Sequence, residues 1–255
     1  MSEVEQRPGH GRAEGREDVF PAPGAADWSR AADSVRPVDS GPTRVLVVLG
    51  HPDQESFNRA LFDAYVSSLP LTCAVEPLPL GALDFDPVLR FGYRRRMAPD
   101  PVIERSQRLV AWADHLTFIF PCWWGGMPAL LKGWFDRVLT PGFAYNEDNS
   151  SLLSLGFGFR QHLAGRSATI ITTYDGPPWW FSLIGVSPTR LLKRQILANC
   201  GIRTTQTLQL GWIGSPKKDS PERRARLLAR VSQAAAALDA GRPRAGRPGR
   251  PPAKV

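Results

Sequence analysis

Five apolar stretches, separated by helical patterns, constrain this chain more than any other feature. The first, RVLVVLG at 44–50, is continuously apolar and ends in glycine, the pattern of a strand buried on both faces. Residues 73–80 (CAVEPLPL), 115–121 (HLTFIFP), 165–174 (GRSATIITTY) and 204–212 (TTQTLQLGW) read as four more strands. Between them lie helical patterns. After Ser56, an N-cap residue, Phe57, Ala60, Leu61, Ala64 and Tyr65 recur on one helix face. Further helices are expected over 100–114, 127–140 (with Pro128 in the first turn), 187–201 and 220–241. Strands alternating with helices imply an α/β fold, a doubly wound five-stranded parallel sheet with helices on both faces. Such sheets hold ligands at the carboxyl ends of their strands.

That rule points to three loops. The first, GHPDQESFN at 50–58, runs from a buried strand into a helix. Free N–H groups and the positive dipole end favour an anion there, with Ser56, Phe57 and Asn58 at the helix start and His51 beside them. Read alone, Ser56 is equally a simple cap and His51 a turn residue. The loop has neither Gly-x-Gly-x-x-Gly nor Gly-Lys-Ser/Thr, so it is no dinucleotide fingerprint and no P-loop.

The second loop, FPCWWGGMP at 120–128, places Pro121, Cys122, Trp123, Trp124 and Gly125 just after a buried strand. Glycine backbone admits close approach, and tryptophans beside it suit a planar heterocycle. Packing of both rings under a neighbouring helix is the alternative. The third, TTYDGPPWWFS at 172–182, offers hydroxyls at Thr172, Thr173 and Tyr174, then stiff prolines and more aromatic surface. A dimer interface would use the same residues. An anion cradle, an aromatic slot and a hydroxyl cluster together suit a phosphorylated planar ligand, for which flavin mononucleotide (FMN) is the natural choice.

The segments GHPDQESFN and FPCWWGGMPALLKGWFDRVLTPGFAY resemble the flavodoxin-like NAD(P)H:quinone oxidoreductases. That group includes the DT-diaphorase, modulator-of-drug-activity and potassium-efflux ancillary reductase types. The resemblance covers roughly 44–215, and the second segment is its specific part. It implies a flavodoxin-like fold, a homodimer, NAD(P)H as reductant and a flat quinone-like acceptor reduced by hydride transfer with ping-pong kinetics. By resemblance, His51, Ser56, Phe57 and Asn58 hold the flavin phosphate and ribityl chain. Pro121, Cys122, Trp123, Trp124 and Gly125 line the isoalloxazine edge, and Thr172 and Thr173 match the family's paired threonines. Asp136 falls where some members carry a glutamate near the flavin. After the paired threonines many relatives continue Gly-Gly, with a later tyrosine and histidine. Here the run is Tyr174-Asp175-Gly176, and no histidine follows His162, so only Tyr174 remains as a candidate catalytic donor. FAD stays open as the alternative cofactor. NADH and NADPH both stay open, since Arg94, Arg95 and Arg96 suit either a phosphate contact or a solvated turn.

Other classes fit less of the sequence. The resemblance also admits a flavin-binding regulatory subunit with a membrane-transporter partner, and a flavodoxin-type electron carrier is a third reading. The net charge of +8 is uneven: 1–42 carries −3, 240–255 carries +5, and 43–239 about +6. Such a mildly basic core suits an anionic ligand and does not point to specific nucleic acid binding. Three cysteines with no metal-ligand spacing fit a reducing, cytoplasmic setting, and no metal site is expected. The charged N-terminus lacks the apolar region of a signal peptide. The domain expectation is a disordered extension over 1–42, one flavodoxin-like domain over 43–239, and a basic Gly/Arg/Pro-rich tail over 240–255.

Overall fold

The computed structural model describes residues 41–148, 158–185 and 187–238. The two extensions expected at the termini lie, but for residues 41 and 42, outside the described residues. Within them, β1 (Thr43–Leu49), β2 (Cys73–Pro79), β3 (His115–Pro121), β6 (Ser167–Thr173) and β7 (Arg203–Leu210) form one sheet in the order β2-β1-β3-β6-β7, every pair parallel. A short antiparallel pair, β4 (Tyr145–Asp148) and β5 (Gly158–Gln161), stands apart from it. The expected five-stranded parallel sheet is therefore present, with an additional two-stranded arm between its third and fourth strands.

Alternation along β1 shows why its sequence is apolar throughout. Val45, Val47 and Leu49 face a layer that includes Leu61, Phe62 and Tyr65 of α1 (Phe57–Ser68) and Leu227 and Val231 of α6 (Pro221–Ala236). Leu46 and Val48 face the opposite layer, with Ile103 and Val110 of α2 (Pro101–Trp112) and Leu131, Trp134 and Phe135 of α3 (Ala129–Val138). A strand covered on both faces has no solvent side on which to place polar residues. Trp134 is fully buried, and its indole N–H donates to Ser106 Oγ at 3.0 Å, so its one polar atom is satisfied.

The expected helix over 187–201 is shorter and mixed. The helix α5 (Pro188–Leu191) runs directly into a π-helical stretch, Leu192–Leu197. Leu192 and Leu197, five residues apart, are both fully buried, a spacing that the wider π turn puts on one face. The third loop also carries a short helix of its own, α4 (Pro178–Leu183).

The chain turns from β1 outward to β2, then crosses back to place β3 on the other side of β1. The order reverses there, and in open sheets of this kind the ligand crevice belongs at the carboxyl ends of the strands that flank the reversal, β1 and β3.

Candidate functional site

Backbone and side-chain contacts draw the three loops together at that crevice. The edge of the His51 ring meets Trp123 with centroids 5.2 Å apart, joining the first loop to the second. Cys122 N–H donates to the Thr173 carbonyl at 2.8 Å, joining the second to the third. Asn58 Nδ2 donates to Thr173 Oγ1 at 3.0 Å, with both residues buried, and ties the third loop back to α1.

In the first loop, Ser56 caps α1: its Oγ accepts from Arg59 N–H at 3.2 Å and donates to the Asp53 carbonyl at 2.9 Å. The hydroxyl is thus occupied by the helix end itself. Phe57 and Asn58 are the first residues of α1, so their N–H groups precede the intrahelical ladder. His51 Nδ1 accepts from Asp53 N–H at 3.0 Å, which leaves the ring proton on Nε2. Burial lowers the His51 pKa against the weaker upward pull of Asp53, so the ring is a neutral donor. The loop owes its position to a glycine outside it: a Cβ on Gly81 would lie 2.2 Å from the Pro52 carbonyl oxygen.

The second loop is a tight turn. Trp123 N–H donates to the Gly126 carbonyl at 2.9 Å, and Gly126 N–H returns a bond to Trp123 at 2.8 Å. Its central residues, Trp124 and Gly125, have φ of 51° and 74°, the signature of a type I′ turn. Glycine and asparagine accept that conformation readily, whereas tryptophan does so at a cost of roughly 1–2 kcal/mol. Trp124 is nevertheless fully exposed, and Trp123 is partly so. Gly125 N–H bonds back to the Cys122 thiol, which burial and Asp175 push upward in pKa despite that bond. Among the described residues, Trp124 N–H is the amide of 122–125 that has no internal acceptor. A strained, solvent-facing tryptophan is the kind of backbone outlier that clusters at functional sites.

The third loop behaves differently from expectation at Tyr174. Its side chain is 1% exposed and packs against Phe181 of α4, with centroids 5.1 Å apart. The hydroxyl lies 3.1 Å from Thr189 Oγ1 and accepts from Gln209 Nε2 at 3.4 Å; Thr172 Oγ1 lies 3.1 Å from the same Thr189 oxygen. Burial raises the phenol's pKa, with Cys122 of the second loop adding to the rise, so it stays protonated. Tyr174 N–H and C=O are also held, by Leu210 and Ile213, which fixes the strand end beneath the crevice.

Asp136 lies in the last turn of α3. It forms an i,i+4 pair with Lys132 at 2.7 Å along α3 and contributes to the field at Tyr93. Burial first, then Tyr145 and Asp136, push the Tyr93 phenol up to about 12. Pro121 ends β3 and is fully inside the sheet. Of Arg94, Arg95 and Arg96, all exposed, Arg95 lies 3.8 Å over the Phe91 ring.

Sequence reading missed two arginines. The Arg224 guanidinium sits 5.1 Å over the Phe57 ring, held by Asp219, and Arg223 Nη2 donates to the Gly211 carbonyl at 2.7 Å. Both lie in the first turn of α6, which packs on α1. Their only sequence signal was their place at a capped helix start, where many arginines stand for solubility.

Strand order and helix layers define the class: a doubly wound α/β protein with a five-stranded parallel sheet. Residues 43–234 match the family described as having a flavodoxin-like fold, and the chain belongs to that family. The guinea pig (Cavia porcellus) NAD(P)H dehydrogenase [quinone] 1 is 38% identical over 125 residues, 40% of this chain and 45% of that protein. The mouse ribosyldihydronicotinamide dehydrogenase [quinone] is 31% identical over 166 residues, 56% of this chain and 68% of that protein. The chain thus spans about half to two thirds of these relatives. The structure of Smu.1420 from Streptococcus mutans UA159 superposes with a TM-score of 0.67 at 37% identity, over 76% of this chain and 99% of that one.

Proposed function

We propose that this chain is a flavin-dependent NAD(P)H oxidoreductase that reduces quinones or similar flat electrophiles by two-electron hydride transfer. The observation that carries the reading is the exposed Trp124 held at positive φ in the crevice where three loops converge. The similarity to two quinone dehydrogenases supports it.

The residues suit a flavin. The open N–H groups of Phe57 and Asn58 and the His51 Nε2 proton would take its phosphate, and the Trp123–Gly126 turn would take the ring, with Trp124 N–H donating to it. We take FMN as the cofactor and FAD as the alternative, for which Arg223 and Arg224 supply further charge. When bound, the flavin supplies hydride acceptance from the nicotinamide and hydride donation to the acceptor. The chain's part is geometric and electrostatic. Trp123 and Trp124 orient flat reactants and exclude water from one side. The Asn58–Thr173 bond and the Thr172–Thr189–Tyr174 chain keep the strand end rigid. We assign Tyr174 to that positioning role, because its hydroxyl is committed to Thr189 and Gln209. Cys122, with its pKa raised, is a neutral wall rather than a nucleophile. The exposed Trp179, Trp180, Leu183 and Ile184 beside the crevice suit a second copy of the chain, in keeping with a homodimer.

The test begins with purified full-length protein. Mass spectrometry of released ligand separates FMN from FAD, and NADH and NADPH oxidation is then followed with a panel of quinones. Protein that stays colourless and thermally unshifted after soaking in either flavin sinks the proposal.

A further inference from the structure

A second concave surface lies behind the Tyr174 network, at the edge of the sheet. It is an open cleft of about 630 Å³ between α4, the α5 and π-helical segment, β7 and α6. Arg190, Lys193 and Arg194 reach it from the second of these and Arg230 from the last, while Thr189 and Gln209 line it between them. Among the described residues, no aspartate or glutamate lines it. Among the described residues, none of the four cations has an ion-pair partner. Elsewhere Arg59, Arg90, Arg105, Arg108 and Arg224 each face a carboxylate within 4.0 Å, while Arg95 and Arg226 stand on the surface rather than around a hollow.

Four like charges gathered around one hollow repel one another, and an anion in the hollow relieves that repulsion. Arg190 and Arg194 are four residues apart and Lys193 three, so they project from neighbouring turns. Guanidinium groups match phosphate oxygens two at a time, which favours phosphate over a compact halide. A diphosphate group carries a charge close to what four cations balance, and the volume suits a small molecule. The hollow shares one wall with the third loop, through Pro178, Trp179 and Ser182, and its other lining residues Thr189 and Gln209 bond to Tyr174 at the strand end.

We infer that this cleft binds a small ligand bearing two or more linked phosphate groups, at a site distinct from the strand-end crevice. The ligand's linked phosphates bridge Arg190, Lys193 and Arg194 on one side and Arg230 on the other.

Isothermal titration calorimetry of the full chain with inorganic pyrophosphate, in low salt, tests this directly. One equivalent binds, and binding persists when FMN is present at saturation. Charged hydrogen bonds contribute about tenfold in affinity each, so Lys193→Glu with Arg194→Glu weakens binding about 100-fold. Arg226→Glu, an exposed site outside the cleft, changes it less than about twofold. All these variants keep the wild-type melting temperature. A second arm compares adenosine triphosphate with vesicles containing a phosphoinositide, which separates a free polyphosphate from a lipid headgroup; binding in either arm that is lost in the double variant supports the cleft. Absence of heat up to about millimolar pyrophosphate overturns the inference. So does competition by FMN, or equal weakening by Arg226→Glu.

Discussion

The two ends of the central sheet carry polar clusters of similar size with opposite character. At the amino end, His115, Arg166 and Arg44 all find partners within the chain, and the buried Thr204 Oγ1 is the exception among the described residues there. His115, at the start of β3, lies 2.8 Å from Ser167 Oγ and 3.1 Å from Thr169 Oγ1, and is 3% exposed. Arg166 donates to the carbonyls of Val110, Ala111 and Ala113 and so closes the last turn of α2. Arg44 holds Asp114 through both its backbone N–H and its guanidinium. At the carboxyl end, Trp124 stands exposed in a strained turn, its N–H has no internal acceptor among the described residues, and His51 turns its proton outward. A polar cluster that satisfies itself stabilises the fold; one that leaves donors and aromatic faces open awaits a ligand. The comparison is more informative than either cluster alone, because both sit on the same three strands.

The largest expected effect sharpens the amino end. Burial drives His115 down to about 4 from its ordinary 6.5, so the folded chain holds this ring neutral. The unfolded chain takes up the proton first as pH falls. The stabilisation is therefore full above about 6.5 and is lost progressively as pH drops toward 4, by about 3 kcal/mol in all. Urea midpoints measured between pH 7 and 4.5 should fall steeply for the wild type and less steeply for His115→Leu. Equal slopes would show that His115 is not the group responsible.

A middle-sized effect is expected at the link between the two characters. Thr173→Val removes the hydroxyl that satisfies the buried Asn58 amide and costs about 1–3 kcal/mol in urea unfolding. Because the same bond joins α1 to the strand end, flavin affinity read by fluorescence quenching falls as well. A variant as stable as the wild type would mean that Asn58 finds another partner.

The smallest effect on stability belongs to Trp124→Ala, within about 0.5 kcal/mol, since the side chain touches solvent. Its effect on function is the reverse: loss of the aromatic face weakens flavin or acceptor binding by up to about tenfold. Unchanged binding would break the contrast between the two ends.

Much of the fold was legible in the sequence because long-period signals are local. The continuous runs in β1 and β3 record burial on two faces, and Ser56, Asp100 and Ser220 cap helices where their spacing says they should. The β4–β5 arm was missed because its strands are four residues each and are joined by no short turn signal. The π-helical stretch was missed because Leu192 and Ile196, four residues apart, also fit an ordinary helix. In the candidate site, the three loops were legible from composition, yet the fate of individual side chains was not. Ser56 and Asn58 look alike as donors, but one is a cap and the other a buried tie to Thr173, 115 residues away in the chain.

The order of strand and helix, the two-sided burial of the sheet and the placing of unusual loops at strand ends were set by the sequence alone, because periodicity and turn chemistry act over a few residues. Which donors stay open was decided only by the tertiary structure. A hydroxyl or amide is spent or free according to what distant segments bring within about 3 Å of it. Only the assembled fold buries Tyr174 under Phe181, leaves Trp124 facing outward and gathers four cations around a second hollow.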